Sequence, residues 1–410
     1  MRIYWYGTGA LHNKIIGPYG NSYMRFPLME ELKQRGHDII WVGFNYEERR
    51  HTPLLDILGI KESNVIQMKA IQELPYEDVE KDLVYQDTDS RTIFKNCGFV
   101  DDRNKAALFI ELRPWAQSKA GYNFEKESKA QEELIKYFIK INRPIFVHDQ
   151  DLWYKEIPKE YRKHIHLLCS YTQLPNNKKE GFKSIDFFLT GWDPNYHISW
   201  PKYSTNLGSY RKINETFGLD SSHEGYLEIE KEYDTAYCGN VYNRRDEFLK
   251  FMKPLHDANQ TIIVAGNWLR KKYDDRDFSL DNFPNAIFLG STEHWSTLPL
   301  LSKAKYAVHF ANPDQQKNGL IGVRVFEAFM AGTLLFVNRN IKGIEDFVHE
   351  SQLVSDGDEV LEKLKVLDLA KVYGLWAEKI EKHNIFEYTN KLDAMLSQYN
   401  PKQEYAPMVI

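Results

Sequence analysis

The chain alternates, twice over, between short apolar β-prone runs and helical stretches, and this constrains its fold more than any other feature. RIYWY (2–6) leads into a loop holding Gly7, Gly9, Gly17 and Gly20, then a helix over about 22–35, then IIWVGF (39–44). Strand, helix, strand in that order is a βαβ unit, whose strands lie parallel in one sheet. AALFIEL (106–112), a helix over about 125–140, PIFVHD (144–149), HIHLLCSY (164–171) and IDFFLTG (185–191) continue the pattern. It restarts with TAYCGN (235–240), a helix to about 256, TIIVAGN (261–267), AIFLG (286–290), a helix over about 297–302 and YAVHFAN (306–312). LLFVN (334–338), QLV and helices over about 357–366, 367–382 and 385–398 complete it. Runs this short and apolar read as strands covered by helices on both faces. The expected fold class is α/β, with two Rossmann-like doubly wound domains facing a cleft. Residues 1–205 form the first domain and 206–384 the second, with the final helix (385–410) packing back on the first. A length of 410 residues suits two cores. Residues 45–105 are polar and mixed in pattern, with helices expected near 50–60 and 76–92.

Charge and cysteine usage narrow the function classes. A net charge of −5 gives no global basic surface for nucleic acid and leaves only a local basic cleft for that purpose. Aromatic residues make up 14%, which suits either an aromatic core or stacking against a sugar or base. Cys97, Cys169 and Cys238 are scattered without a CxxC pair, as in a reduced, cytoplasmic protein lacking a structural metal. The first ten residues do not read as a signal peptide, and no apolar run is long enough for a membrane span. A soluble monomer without a membrane partner is expected. The glycines after the first strand do not spell GxGxxG, so they carry no dinucleotide fingerprint. His12 and Lys14 in that loop are either donor or acceptor contacts or solvated cations.

The stretch Lys317 to Asp346 carries the densest signal. A helix opening near Val323 holds Arg324 and Glu327 on one face, after Gly319 and Gly322, and Gly332 is placed to end it. A guanidinium can fork onto a phosphate, and a carboxylate can accept both hydroxyls of a ribose. The helix start also favours anions. Such a pair holds a nucleotide diphosphate or is an ordinary i, i+3 surface salt bridge. Arg244 and Arg245, after the strand that ends at Gly239 and Asn240, are phosphate ligands or a solvated helix start. His148, Asp149 and Asp151 lie at a strand's carboxyl end, where open α/β sheets place ligands. Asp149 reads as a general base, as half of a DxD-like Mg²⁺ or Mn²⁺ site with Asp151, or as a structural residue. His148 is an alternative base or a hydrogen-bonded structural histidine. Lys178, Lys179 and Lys183, in a stretch read as a basic loop (176–183), touch an acceptor's phosphates or line a wet surface.

Three blocks carry a family resemblance, in order: PIFVHDQDLW, AYCGNVYNRRDEFLKFM and GVRVFEAFMAGTLLFV. The last is similar to the C-terminal signature of two-Rossmann-domain (GT-B) glycosyltransferases. Together they resemble the DNA β-glucosyltransferase family of T-even phages, and the first and third also resemble spore-maturation-type glycosyltransferases. The resemblance implies a UDP-sugar donor, an acceptor hydroxymethyl on 5-hydroxymethylcytosine in double-stranded phage DNA, and no required metal. It implies that Arg324 binds the diphosphate, Glu327 the ribose hydroxyls, and Arg245 and Arg244 the phosphates, with Gly239, Gly322 and Val323 lining the donor pocket. Asp149 becomes the general base, and His148, Asp151, Lys178 and Lys179 face the acceptor. The family's first-loop carboxylate has no counterpart in NKIIGPYGNSYM, and the 45–105 insertion is larger than the family's. A polysaccharide, lipid or protein acceptor is the alternative, and a nucleotide- or sugar-binding module without turnover is the second.

Overall fold

The computed structural model describes residues 1–6, 22–45, 65–69, 106–112, 125–149, 152–169, 174–186, 230–241, 243–266, 268, 282–290 and 297–399. The chain divides into two compact units. The first comprises Met1–Lys14, Leu28–Leu189 and Tyr388–Ile410, and the second Ile15–Pro27 and Thr190–Glu387. The boundary expected at 205/206 lies outside the described residues.

Among the described residues the first unit holds seven parallel strands: β1 (Arg2–Tyr6), β2 (Asp38–Asn45), β3 (Val65–Lys69), β4 (Ala106–Glu111), β5 (Ile145–His148), β6 (Ile165–Cys169) and β7 (Lys183–Asp186). Their order is β3-β2-β1-β4-β5-β6-β7. The chain walks outward from β1 to β3, then returns to the other side of β1 with β4. In open α/β sheets such a reversal marks where ligands bind. Every residue of β4 is buried, as a strand covered on both faces must be. The helix Glu125–Lys140 turns Leu134, Ile135 and Phe138 inward, and Phe138 meets Tyr4 edge-on at 5.9 Å. The helix Ile385–Ser397 belongs to this unit from Tyr388 onward. Arg35 Nη1 donates to Asn390 Oδ1 at 2.7 Å, and His37 Nε2 lies 2.9 Å from Asp393 Oδ1. Beyond the helix, Arg143 Nη2 donates to the Tyr399 carbonyl at 2.9 Å.

The second unit has six parallel strands: β8 (Tyr233–Cys238), β9 (Ile262–Ala265), β10 (Ile287–Phe288), β11 (Ala304–His309), β12 (Leu334–Asn338) and β13 (Leu353–Val354). Their order, β10-β9-β8-β11-β12-β13, reverses between β8 and β11. Much of the aromatic surplus is core here. Phe248, on the helix Arg245–Asp257, packs against Trp268 at 4.1 Å and Tyr237 at 5.5 Å, and Tyr237 stacks on Phe310 at 4.5 Å. The helix Arg324–Met330 ends as expected: Gly332 is left-handed (φ 64°), and Thr333 N donates back to the Ala328 carbonyl at 3.0 Å.

Two expectations need correction or lie out of reach. Residues 176–183 are not a loop throughout. A helix, Leu174–Lys179, occupies the first part, turned by Gly181 (φ 93°) into β7. Asn177 anchors that helix through Nδ2 to Cys169 Sγ at 3.0 Å, a buried contact. Within 45–105 the described residues contain β3, paired to β2, where no strand was expected. The helices expected near 50–60 and 76–92 fall outside the described residues. Among the described residues no helix is long and apolar enough to cross a membrane.

Candidate functional site

In the second unit, the switch point between β8 and β11 gathers residues far apart in sequence. β11 ends at His309, β8 exits through Gly239 and Asn240 toward Arg244, and the helix carrying Arg324 starts just after Gly322. The His309 ring lies hard against Gly322, where an added Cβ would sit 3.1 Å from both Cε1 and Nε2. Burial, then the charges of Arg324 and Arg244, pull the His309 imidazole down to about 3, so it is neutral at physiological pH. The same two guanidiniums act on Tyr237, against the burial that drives its phenol up to about 12. The charges of Arg244 and Arg324 therefore both reach the His309 and Tyr237 rings.

Each arginine is differently held. Arg244 donates from Nη1 to the Asn240 carbonyl at 3.1 Å and from Nη2 to Gln315 Oε1 at 2.8 Å. Arg245 begins its helix, and its buried Nε meets no hydrogen-bond acceptor among the described residues. Arg324 forms an ion pair with Glu327, one helical turn on. That pair is not the exposed surface bridge its spacing allows, since the Glu327 side chain is 0% exposed and that of Arg324 only 12%. Burial pushes the Glu327 carboxyl well up and draws the Arg324 guanidinium down, so the pair sits where charge is costly to hold.

The backbone closes in at the neighbouring strand ends. Gly266, just past β9, has φ 142°, and a Cβ there would sit 1.9 Å from the Gly239 carbonyl oxygen. Trp268 Nε1 donates to that same oxygen at 2.7 Å. At Gly239 an added Cβ would lie 2.6 Å from the Tyr237 hydroxyl. Val323 precedes the Arg324 helix at its start.

In the first unit, Asp149 follows β5 and is 5% exposed. Its Oδ1 accepts from Trp153 N at 3.2 Å and its Oδ2 from Tyr154 N at 2.7 Å, so it pins the 3-10 turn Trp153–Glu156. His148, the last residue of β5, is buried and in register with Glu111 of β4. Glu111 Oε1 accepts from Trp5 Nε1 at 2.6 Å, and Trp5 stacks on Phe109 at 3.9 Å. Sequence reading passed over Glu111, as it did His309 and Gln315. Each ends a strand or sits on a short helix without a motif, and only the strand order gives it neighbours. Lys178, Lys179 and Lys183 are exposed, the first two at the end of their helix. His12, Lys14 and Asp151 lie outside the described residues. Among the described residues no three His, Cys, Asp or Glu side chains gather as metal ligands.

A glycosyl transferase-like family model matches residues 244–372, the segment holding Arg244, Arg245, His309, Gln315, Arg324 and Glu327. No curated protein sequence matches the chain. Among solved structures, the chain is similar to a glycosyltransferase from Rickettsia africae at 11% identity and TM-score 0.59, covering 98% of this chain and 99% of that one. It is similar to an α-glucosyltransferase in complex with UDP and a 13-mer DNA at 13% identity and TM-score 0.53, covering 97% and 100%. A mutant of T4 phage BGT in complex with UDP-glucose matches at 14% identity and TM-score 0.47, covering 98% and 97%. The likeness to these structures is one of fold. It shows a fold of GT-B architecture, with two Rossmann-like domains, whose second sheet carries the glycosyl transferase-like segment.

Proposed function

We propose that the protein transfers a sugar from a UDP-sugar to the hydroxymethyl group of a modified pyrimidine, 5-hydroxymethylcytosine, in DNA. One observation carries the donor half: the charges of Arg244 and Arg324 both reach His309 at the β8/β11 switch point, with Arg245 beside Arg244 in sequence. Departure of the nucleotide puts negative charge on its diphosphate, and preorganised guanidiniums lower the barrier to that step. His309 stays neutral there and donates or accepts a hydrogen bond without adding charge. Glu327 takes the ribose hydroxyls when the nucleotide draws Arg324 onto its phosphates. The arginines supply the positive charge, so Mg²⁺ or Mn²⁺ is optional. On the acceptor side Asp149 receives the hydroxyl proton, its carboxylate held in one direction by the Trp153 and Tyr154 amides. His148, Lys178 and Lys179 are assigned to the acceptor side. A hydroxymethyl inside a duplex is out of reach of a side chain, so the base is flipped out first. The similar α-glucosyltransferase held with UDP and DNA supports this acceptor.

The test is transfer of labelled sugar from a panel of UDP-sugars to duplex DNA with or without hydroxymethylcytosine, the protein acting as a soluble monomer. Label on the modified duplex alone is the expected result, and no label from any donor would refute the DNA acceptor. A second reading, transfer to a polysaccharide, lipid or protein, is favoured by the net charge of −5. Donor consumed without DNA but with one of those acceptors would select it. Donor bound and never consumed would leave a binding module.

A further inference from the structure

We propose that Gln315 is a positioning residue for Arg244, and that it is an amide rather than a carboxylate so that the site keeps its positive charge. The inference rests on reading Arg244 as a diphosphate ligand. Gln315 lies 71 residues from Arg244, on the short helix Pro313–Asn318 that follows β11. Its Oε1 accepts from Arg244 Nη2 at 2.8 Å. The same oxygen accepts from Asn312 N at 3.4 Å, while Gln315 N donates to Asn312 Oδ1 at 2.9 Å. This reciprocal pair is a capping box, a motif that accepts Glu or Gln equally at this position. Pro313 at the helix start and the left-handed Gly319 at its end (φ 64°) hold the helix short and its frame fixed.

The consequence for Arg244 is geometric. One edge of its guanidinium is tied to two oxygens on different elements, Asn240 O and Gln315 Oε1. Neither oxygen carries a formal charge, so the cation is oriented without being neutralised. A carboxylate at 315 would keep the helix cap and the hydrogen bond. It would also cancel the Arg244 charge that a diphosphate must meet, and repel the diphosphate itself. A helix cap alone gives no reason to prefer Gln to Glu, whereas a phosphate site does.

Calorimetric titration with UDP, and with uridine as the phosphate-free control, tests this on the full chain and on Q315E, Q315M, R244A and R244A/Q315M. Thermal melting is run alongside to confirm that each variant folds. Q315E should melt like the parent yet bind UDP about tenfold more weakly, with uridine affinity unchanged. Q315M, which frees the guanidinium, should also weaken UDP. Adding Q315M to R244A should cause no further loss, because the amide acts on UDP only through Arg244. If R244A weakens UDP while Q315E and Q315M bind it as the parent does, the Gln315 inference falls and the donor site stands. If the parent chain binds no UDP, both fall.

Discussion

At Glu327 a carboxyl with no exposed surface meets a guanidinium that is itself nearly enclosed, and the energetics of that meeting differ from those of a surface bridge. Removing one member strands a buried charge, so E327A should destabilise the chain by about 3–5 kcal/mol in urea unfolding. Replacing both with apolar residues, R324M with E327L, should restore much of that stability while abolishing UDP binding. A double variant as unstable as E327A would show that the pair is not energetically coupled. His309 gives a pH test. Its folded value, about 3, lies below the ordinary 6.5, so an unfolded chain takes up a proton that the folded chain refuses. Stability contributed at His309 is therefore complete above pH 6.5 and lost as pH falls from there toward 3. Relative to H309Q, the parent should lose on the order of 1 kcal/mol per pH unit in that window. Parallel stability curves for the two would reject the burial of the ring beside two arginines. Arg324 and Glu327 were legible from sequence because they share a helix face after Gly319 and Gly322, and Arg244 because it opens the helix after the strand ending at Gly239. The depth of the Arg324–Glu327 pair was not, since a spacing of three fixes a shared helix face and says nothing of what covers it.

Elements fared better than the contacts between them. LLFVN and the helices over 125–140, 297–302 and 357–366 occur where apolar periodicity placed them. Strand β3 went unseen because VIQMK sits in a polar stretch and earns its place by pairing with β2. The helix Leu174–Lys179 went unseen because Asn and Lys outnumber apolar residues in it, and its anchor is one buried amide on a cysteine. Two glycines show how local geometry decides. Gly266 combines φ 142° with a carbonyl where its Cβ would go, so G266A should cost about 2 kcal/mol or more and weaken UDP binding by pushing β8 and β9 apart. Gly374 lies exposed inside the helix Leu369–Ile380 with open space around it, so G374A should gain about 0.5–1 kcal/mol. Equal melting temperatures for the two variants would contradict both assignments.

For the molecule as a whole, the consequential feature is that the first unit is not continuous in sequence. Its sheet is made before residue 190, yet Tyr388, with no exposed surface, and the residues after it complete it. Arg35 and His37 reach Asn390 and Asp393, and Arg143 reaches the Tyr399 carbonyl. The Tyr399 hydroxyl lies 2.9 Å from His166 Nε2, on a ring stacked over Phe146 whose burial draws its pKa down to about 4. A chain ending at Glu387 exposes that apolar seat and leaves the polar groups of His37, Arg143 and His166 to find water. Strands β8 to β13 lose nothing by the cut, because their partners all lie before residue 388. The truncated chain should therefore melt in two steps, with the lower step belonging to the first unit. Amide exchange should quicken in β1, β4, β5 and β6 while β8, β11 and β12 keep their protection. UDP binding should survive at low temperature, and transfer to the acceptor should not. Loss of UDP binding together with protection in β8 and β11 would mean that the two units share one stability and the last helix supports both.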